Sequence, residues 1–337
     1  MTPLFPHLAP PEARQRERGR NLAPSITSPY TPPSMPARPA SFVLAGTLVA
    51  VAGCSGQVIA TADADAAQTY ALVSVELSSP AGELAEGVRT QASARFLRMP
   101  SSTDLDLASH LVGAGLELPP VDQCTQVAVF AEERGFPLAS FGPIDLIDVG
   151  AVTIQAGSAR ASLSARAFPD VVDLVSGVVY TTREAVDSFP APATYRIEIA
   201  GSSQLGPLRL EAPAPAPPQA VRIAAQPLGT EPVAVAREDL ALSWIPGSGD
   251  GLVYVELTSY EASRLVRNVC TFADTGRATI PAHALPDAAS TSIALHRIER
   301  LPVEAKGIDG GEVRFDLAVT GTLRFEVLEP IEAIEEP

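Results

Sequence analysis

The stretch ALVSVELSS, residues 71–79, decides the fold because its apolar and polar side chains alternate with a period of two. Val73, Val75 and Leu77 alternate with small or charged residues, so an extended strand there has one apolar and one polar face. The same alternation recurs in TYRIEIAG (194–201), VRFDLAV (313–319) and TLRFEV (322–327). The sequence therefore predicts strands that bury one face and expose the other.

Further strand candidates lie between clusters of Gly and Pro. They are residues 126–130, 144–154, 162–168, 174–181, 240–244, 252–257 and 291–298. A single short helix is predicted within Asp104 to Leu116, with Gly113 and Gly115 ending it. Many short strands separated by turn residues indicate an all-β fold of the sandwich or barrel type.

A proline-rich run, EAPAPAPPQ at residues 211–219, divides the predicted strands into two groups. Alternating Ala and Pro favours an extended, stiff conformation, so we expect a spacer here. We therefore predict two tandem immunoglobulin-like β-sandwich domains, at residues 70–210 and 220–328. Residues 329–337, which include IEAIEEP, form an acidic tail that is most simply solvated.

The two predicted domains contain similar segments in the same order. LVSVELSS (72–79) matches LVYVELTS (252–259), DVGAVTI (148–154) matches DTGRATI (274–280), YRIEIA (195–200) matches VRFDLA (313–318), and LRLE (208–211) matches LRFE (323–326). A tandem duplication would explain the order of these matches. Convergence would also explain them, because alternating apolar and charged residues are common to antiparallel sheets.

Near the N-terminus, FVLAGTLVAVAGC at residues 42–54 is short and apolar, follows Arg38, and ends in small residues and a cysteine. A transmembrane helix needs about 20 apolar residues, and this run is shorter. A basic residue, a short apolar core and a small-residue cleavage site are typical of an export segment. The stretch resembles a bacterial lipoprotein signal peptide with its lipobox. The resemblance implies cleavage between Gly53 and Cys54 and attachment of lipid to the Cys54 thiol.

The lipobox divides the N-terminal region into three parts. Residues 1–34 are rich in Pro and Arg and are either disordered or a mis-assigned start, with translation beginning at Met35. Residues 35–53 then form a signal peptide of ordinary length. Residues 54–69 comprise the lipidated cysteine and a small, polar tether of about 15 residues, which spans roughly 20 Å if flexible.

The charge of the chain restricts its partners. The net charge is −15, and residues 1–53 hold five Arg and two Glu, so the mature chain of 284 residues carries a net −18. Such a chain is repelled by nucleic acid and by anionic lipid headgroups, so nucleic-acid binding is excluded as a leading function. One Lys against 23 Arg, with abundant Ala, Pro and Gly, is typical of a GC-rich bacterium.

Two cysteines remain after Cys54, namely Cys124 and Cys270. Export to an oxidising compartment permits a disulfide between them, and such a bond would link the two predicted domains. Equivalent positions in two separate repeats would instead hold the thiols too far apart to bond. The sequence leaves both arrangements open.

No catalytic, metal or cofactor motif is evident. His110, His283 and His296 lack metal-ligand spacing, so surface or partly packed histidines are expected. Gly247-Ser248-Gly249 lies between two strand candidates and lacks the strand-turn-helix context of a nucleophile elbow. Trp244 ends the apolar strand LALSW and is expected in the core of the second sandwich. We assign no catalytic residue, no metal ligand and no cofactor.

Two classes of function remain. The first is a lipid-anchored binding or structural module of the cell envelope that holds another envelope protein or a polysaccharide. The second is a lipid-anchored hydrolase whose catalytic groups converge only in the folded state. Cys54 would attach either protein to a membrane, and Ser55 after it, where inner-membrane lipoproteins of enteric bacteria have Asp, favours the outer membrane.

Overall fold

The computed structural model describes residues 66–82, 88–127, 143–171, 174–182, 189–248, 251–261 and 264–326. Cys54, Gly53, most of the predicted tether and the acidic tail lie outside these residues. The described fold is all-β, as predicted. Its strands are β1 Ala67–Pro80, β2 Arg89–Pro100, β3 Gln123–Val127, β4 Ile144–Leu146, β5 Val152–Ala156, β6 Ala159–Val171, β7 Val175–Thr181, β8 Ala193–Ile199, β9 Leu208–Ala214, β10 Gln219–Ile223, β11 Gln226–Pro227, β12 Val233–Val235, β13 Leu240–Ile245, β14 Leu252–Glu261, β15 Arg264–Ala273, β16 Arg277–Ile280, β17 Ser290–Pro302 and β18 Gly310–Phe325.

The predicted helix is present as α1, Leu105–Leu111. Asp104 caps its first turn by accepting hydrogen bonds from the amides of Asp106 and Leu107. The helix ends directly before Gly113, which has a φ of 67°. A short 3-10 helix spans Ala282–Ala284. In the part of the chain that the structure describes, no helix has the length and hydropathy needed to span a membrane.

The strands form two open sheets. The larger has the order β3-β15-β14-β17-β18-β1-β2-β4-β7-β6-β5-β8-β9, with β12 also paired to β18. The smaller has the order β11-β10-β13-β16. The structure therefore supports the predicted sandwich class, since strands of both sheets contribute to a shared core.

Strands β1 and β18 join the N-terminal and C-terminal halves of the chain in one sheet. They pair in parallel from Tyr70 opposite Gly310 to Pro80 opposite Thr320. Gly311 has a φ of 132°, and a Cβ at this position would overlap the backbone of Ala71. The described residues belong to one compact unit.

Two large apolar cores lie on the inner faces of the strands. The first includes Val73, Phe96, Ile154 and Ile197, and Phe315 of β18 also lies in it. The second packs the smaller sheet, through residues such as Ile223, Leu242 and Trp244, against Val255 and Leu295 of the larger one. Leu323 and Phe325 at the end of β18 belong to this second core. One strand therefore contributes to both cores, which ties their stability together.

The predicted spacer at 211–219 is wrong for its first residues. Glu211 to Ala214 form the end of β9 and pair with Ala193 to Arg196 of β8. Strand β9 lies at the edge of the larger sheet, where proline is tolerated because one side of the strand has no neighbour that needs its N–H group. Proline alternation therefore marks an edge strand here.

Of the two explanations for the similar segments, the structure favours convergence, because the matched segments occupy different places in the strand order. YRIEIA and LRLE lie in the separate strands β8 and β9, whereas VRFDLA and LRFE lie mainly in the single strand β18. Strand β1 has one parallel neighbour, and β14 has two antiparallel ones. The similarity reflects the shared alternation of a strand with one buried face.

Candidate functional site

Polar side chains line the outer surface of β14, β17 and β18, and we call this surface the polar face. Side chains alternate along each strand, so Val253, Val255 and Leu257 enter the core. Tyr254, Glu256, Thr258 and Tyr260 consequently lie on the opposite face. Polar residues of the neighbouring strands meet them in register.

One half of the polar face is covered by the segment that follows α1. Arg95 Nε donates to the carbonyl of Val112 at 2.8 Å, and Arg314 Nη1 donates to the carbonyl of Ala114 at 2.8 Å. Burial, followed by the charge of Arg314, lowers the pKa of Arg95. The two guanidinium groups thus hold the segment on the sheet, and the Arg314 side chain is buried there.

Beneath this cover, Tyr254, His296 and Asp316 form a hydrogen-bonded cluster. The Tyr254 hydroxyl donates to Asp316 Oδ2 at 2.7 Å, and His296 Nδ1 lies 2.7 Å from Asp316 Oδ1. The tyrosine and imidazole rings are stacked with centroids 4.1 Å apart. Burial, followed by the charge of Asp316, raises the pKa of Tyr254. The phenol therefore stays neutral and holds the carboxylate in place.

The other half of the polar face is open and lined with hydroxyl groups. Thr258 lies directly opposite Ser292, and Ser292 lies directly opposite Thr322, so three hydroxyl side chains form a row across three strands. Tyr260 stands beside this row with 74% of its surface exposed. These residues line a depression of ≈ 820 Å³.

A second, smaller cavity of ≈ 280 Å³ adjoins the first at the edge of the sheet. The two cavities share Glu261 and Asp287, and the Glu261 carboxylate accepts a hydrogen bond of 2.6 Å from the Asp287 amide. The smaller cavity is also lined by Asn268, His283 and the disulfide residue Cys124. We call the two cavities together the Tyr260 cleft.

Buried polar atoms without a hydrogen-bond partner lie behind this cleft, on the core side of the sheet. Ser259 Oγ and Asn268 Oδ1 have none among the described residues, and each residue is less than a tenth exposed. Ser259 lines the larger cavity and Asn268 the smaller one. An unpaired buried polar atom costs about 1–3 kcal/mol, so such atoms are uncommon and call for a physical reason.

A separate buried ion pair has a structural role. Asp274 accepts from Arg297 Nε at 2.7 Å, from Trp244 Nε1 at 2.6 Å and from the Gly247 amide at 2.9 Å. Arg297 also donates to the carbonyl of Ala216 at 2.7 Å, which fixes the proline-rich segment. Burial alone would raise the pKa of Asp274, but these donors lower it overall. Trp244 lies in the second core, as predicted.

The structure places the remaining predicted residues as follows. Cys124 and Cys270 lie opposite each other on β3 and β15 and form a disulfide with a Cα–Cα distance of 4.0 Å. His110 lies 3.8 Å from Glu117, His283 lines the smaller cavity, and His296 belongs to the buried cluster. Across the described ranges, no group of three or more His, Cys, Asp or Glu residues is placed to hold a metal ion.

Comparisons with protein-family models and with curated proteins gave no match. No protein-family model fits the chain, and no curated protein is significantly similar to it. The functional argument therefore depends on the residues and their geometry.

Proposed function

We propose that this protein is a binding module of the bacterial cell envelope, anchored to a membrane by lipid on Cys54. The Tyr260 cleft is the binding surface, and its ligand is an envelope protein or a polysaccharide. The observation that supports this proposal best is the open half of the polar face, where an exposed tyrosine stands beside a row of hydroxyl groups. This observation supports the cleft as the binding surface. The support for the lipid anchor comes from the lipobox sequence.

The shape of the described body suits binding at a surface. The two cores are filled by apolar side chains, and a row of hydroxyl groups lies on the outer face of β14, β17 and β18. Binding sites commonly combine an apolar or aromatic contact with a few polar groups that fix orientation. Tyr260 supplies the aromatic contact, and Thr258 and Ser292 supply hydroxyl groups.

The anchor places this surface outside the cytoplasm. Lipoprotein processing, as the lipobox implies, would leave acyl chains on Cys54, and more than one chain gives stable membrane attachment. The segment between Cys54 and the start of β1 at Ala67 then connects the lipid to the folded body. Ser55 after the lipidated cysteine favours the outer membrane as the site of attachment.

A lipid-anchored hydrolase is the second candidate, and the His296–Asp316 pair is the observation that favours it. A carboxylate that orients an imidazole is the arrangement a general base requires. Within its own row, however, His296 lies between Tyr254 and Ala318, and neither is a serine, threonine or cysteine nucleophile. Loss of a hydrolytic activity in His296→Ala, with Tyr260→Ala still active, would support the enzyme over the binding module.

The anchor is tested by expressing the full chain and its Cys54→Ser variant in a bacterium with lipoprotein processing. We expect wild type to incorporate radiolabelled palmitate and to sediment with membranes, and the variant to do neither. Cys124→Ser is the matched control, because it replaces a disulfide cysteine far along the chain, leaves Cys54 in place and should remain labelled. Palmitate labelling that persists in Cys54→Ser would disprove the proposed anchor.

The binding role is tested by recovering the tagged, lipidated protein from its native membrane. We expect a defined envelope component to co-purify with wild type and to be depleted with Tyr260→Ala. Ile245→Ala, which truncates another exposed side chain on the smaller sheet, should behave as wild type. Equal recovery with all three proteins would argue against the cleft as the binding surface.

A further inference from the structure

We infer that the ligand of the Tyr260 cleft is a neutral oligosaccharide chain. This inference rests on the proposed binding function and names the chemical class of its ligand. Three features of the cleft carry it: an exposed aromatic ring, a row of hydroxyl groups and two carboxylates.

The exposed ring is that of Tyr260. Of the described residues, Val121, Ile245 and Tyr260 are the large hydrophobic side chains that remain exposed, and Tyr260 is the aromatic one among them. A tyrosine ring presents a flat apolar face and a hydroxyl at its edge. The C–H faces of a pyranose can stack on such a ring, while its hydroxyl groups reach polar neighbours.

The hydroxyl groups beside Tyr260 are spaced to contact consecutive units of a sugar chain. Thr258, Ser292 and Thr322 lie on adjacent strands, and strands in a sheet are about 4.8 Å apart. The row therefore spans about 10 Å from the first hydroxyl to the third. Hydroxyl groups both donate and accept hydrogen bonds, so this row can pair with the hydroxyl groups of consecutive sugar units.

The charges around the cleft disfavour acidic sugars. Glu261 and Asp287 are shared by the two cavities, and the Asp287 side chain is 96% exposed, with Arg237 Nη1 3.7 Å from its Oδ1. Carboxylates accept hydrogen bonds from sugar hydroxyl groups but repel the carboxylates or phosphates of an acidic polysaccharide. The net charge of −18 of the mature chain adds to this repulsion. A neutral chain matches both the acceptors and the charge.

The inference is tested by titration calorimetry of the full lipidated protein in a detergent without a sugar headgroup. The probes are maltotetraose, cellotetraose, laminaritetraose and tetra-N-acetylchitotetraose, with tetragalacturonate as the acidic control. We expect saturable binding of at least one neutral tetrasaccharide and none of tetragalacturonate. Tyr260→Ala should weaken that binding at least about tenfold, equivalent to about 1.4 kcal/mol, and Ile245→Ala should leave it unchanged.

Three results would overturn the inference: no neutral tetrasaccharide binds, tetragalacturonate binds as well as the neutral probes, or Tyr260→Ala binds with wild-type affinity. Each is independent of the anchor. If the protein incorporates palmitate but binds no neutral sugar, the proposed ligand class is wrong and the lipid anchor is supported. A protein that binds a sugar through Tyr260 but incorporates no palmitate supports this inference and contradicts the lipid anchor.

Discussion

Removing the charge of Asp274 is the sharpest test of how the second core is stabilised. The Asp274 and Arg297 side chains are only 2% and 4% exposed, and Asp274→Asn leaves the guanidinium buried without its counter-charge. Breaking a buried pair in this way costs about 3–5 kcal/mol. Because Asn can still accept a hydrogen bond from Trp244, we expect a loss near the lower end, about 3 kcal/mol in the free energy of unfolding.

The measurement is urea unfolding followed by tryptophan fluorescence. Trp244 is the only tryptophan in the chain and donates directly to Asp274, so its emission reports on the site itself. Asp287→Asn is the matched control, because its side chain is exposed and should change stability by less than about 0.5 kcal/mol. A loss below about 1 kcal/mol in Asp274→Asn, or equal losses in both variants, would refute the argument.

The same pair predicts a dependence on pH. The folded-state pKa of Asp274 is lowered, so its contribution to stability is fully present above the pKa of about 4 that an unfolded aspartate has. The contribution is lost as the pH falls through the lower folded-state pKa. The stability difference between wild type and Asp274→Asn should therefore shrink in acid. A stability difference between wild type and Asp274→Asn that grows as the pH falls would contradict this prediction.

Three further predictions concern the fold. Gly311→Ala should lower the midpoint of urea unfolding strongly because its Cβ would overlap Ala71 across the β1–β18 pairing, whereas Gly206→Ala, which meets no atom, should be tolerated. Reduction of Cys124–Cys270 should lower the free energy of unfolding by about 4–5 kcal/mol in the loop-entropy model, and an unchanged urea midpoint would contradict this. Burial and the hydrogen bond to Asp148 raise the pKa of Tyr180 to about 12. Stability from Tyr180 should therefore be lost as the pH rises from about 10 towards that value, and Tyr180→Phe should abolish this part of the loss.

The alternation of apolar and polar residues predicted the fold class, because a strand with one buried face repeats every two residues. It identified β1, β8, β14 and β18 and the helix near Leu107. It missed β2, whose first inward residues are the small Thr90, Ala92 and Ala94. It also missed β15, whose buried residues run consecutively because the outer face of the sheet is itself partly covered. The parallel pairing of β1 with β18 has no local signal, since it joins residues about 240 positions apart.

The candidate site could be predicted only in part. Tyr260 continues the outward series of Tyr254, Glu256 and Thr258, so an aromatic residue on a polar face was a readable signal that sequence reasoning missed. The row of Thr258, Ser292 and Thr322 depends on the register of three strands, which the sequence does not specify. The sequence cannot show that Ser259 Oγ and Asn268 Oδ1 lack hydrogen-bond partners, because this depends on every group that surrounds them in the folded chain.

The proposed lipid anchor requires that the mature protein begins at a lipid-modified cysteine. Mass spectrometry of the protein purified from membranes tests this directly. We predict an N-terminal peptide that starts at Cys54 and is heavier than its sequence by a diacylglyceryl group and an amide-linked acyl chain. An unmodified Cys54 peptide, or one that continues upstream through Gly53, would contradict the lipid anchor.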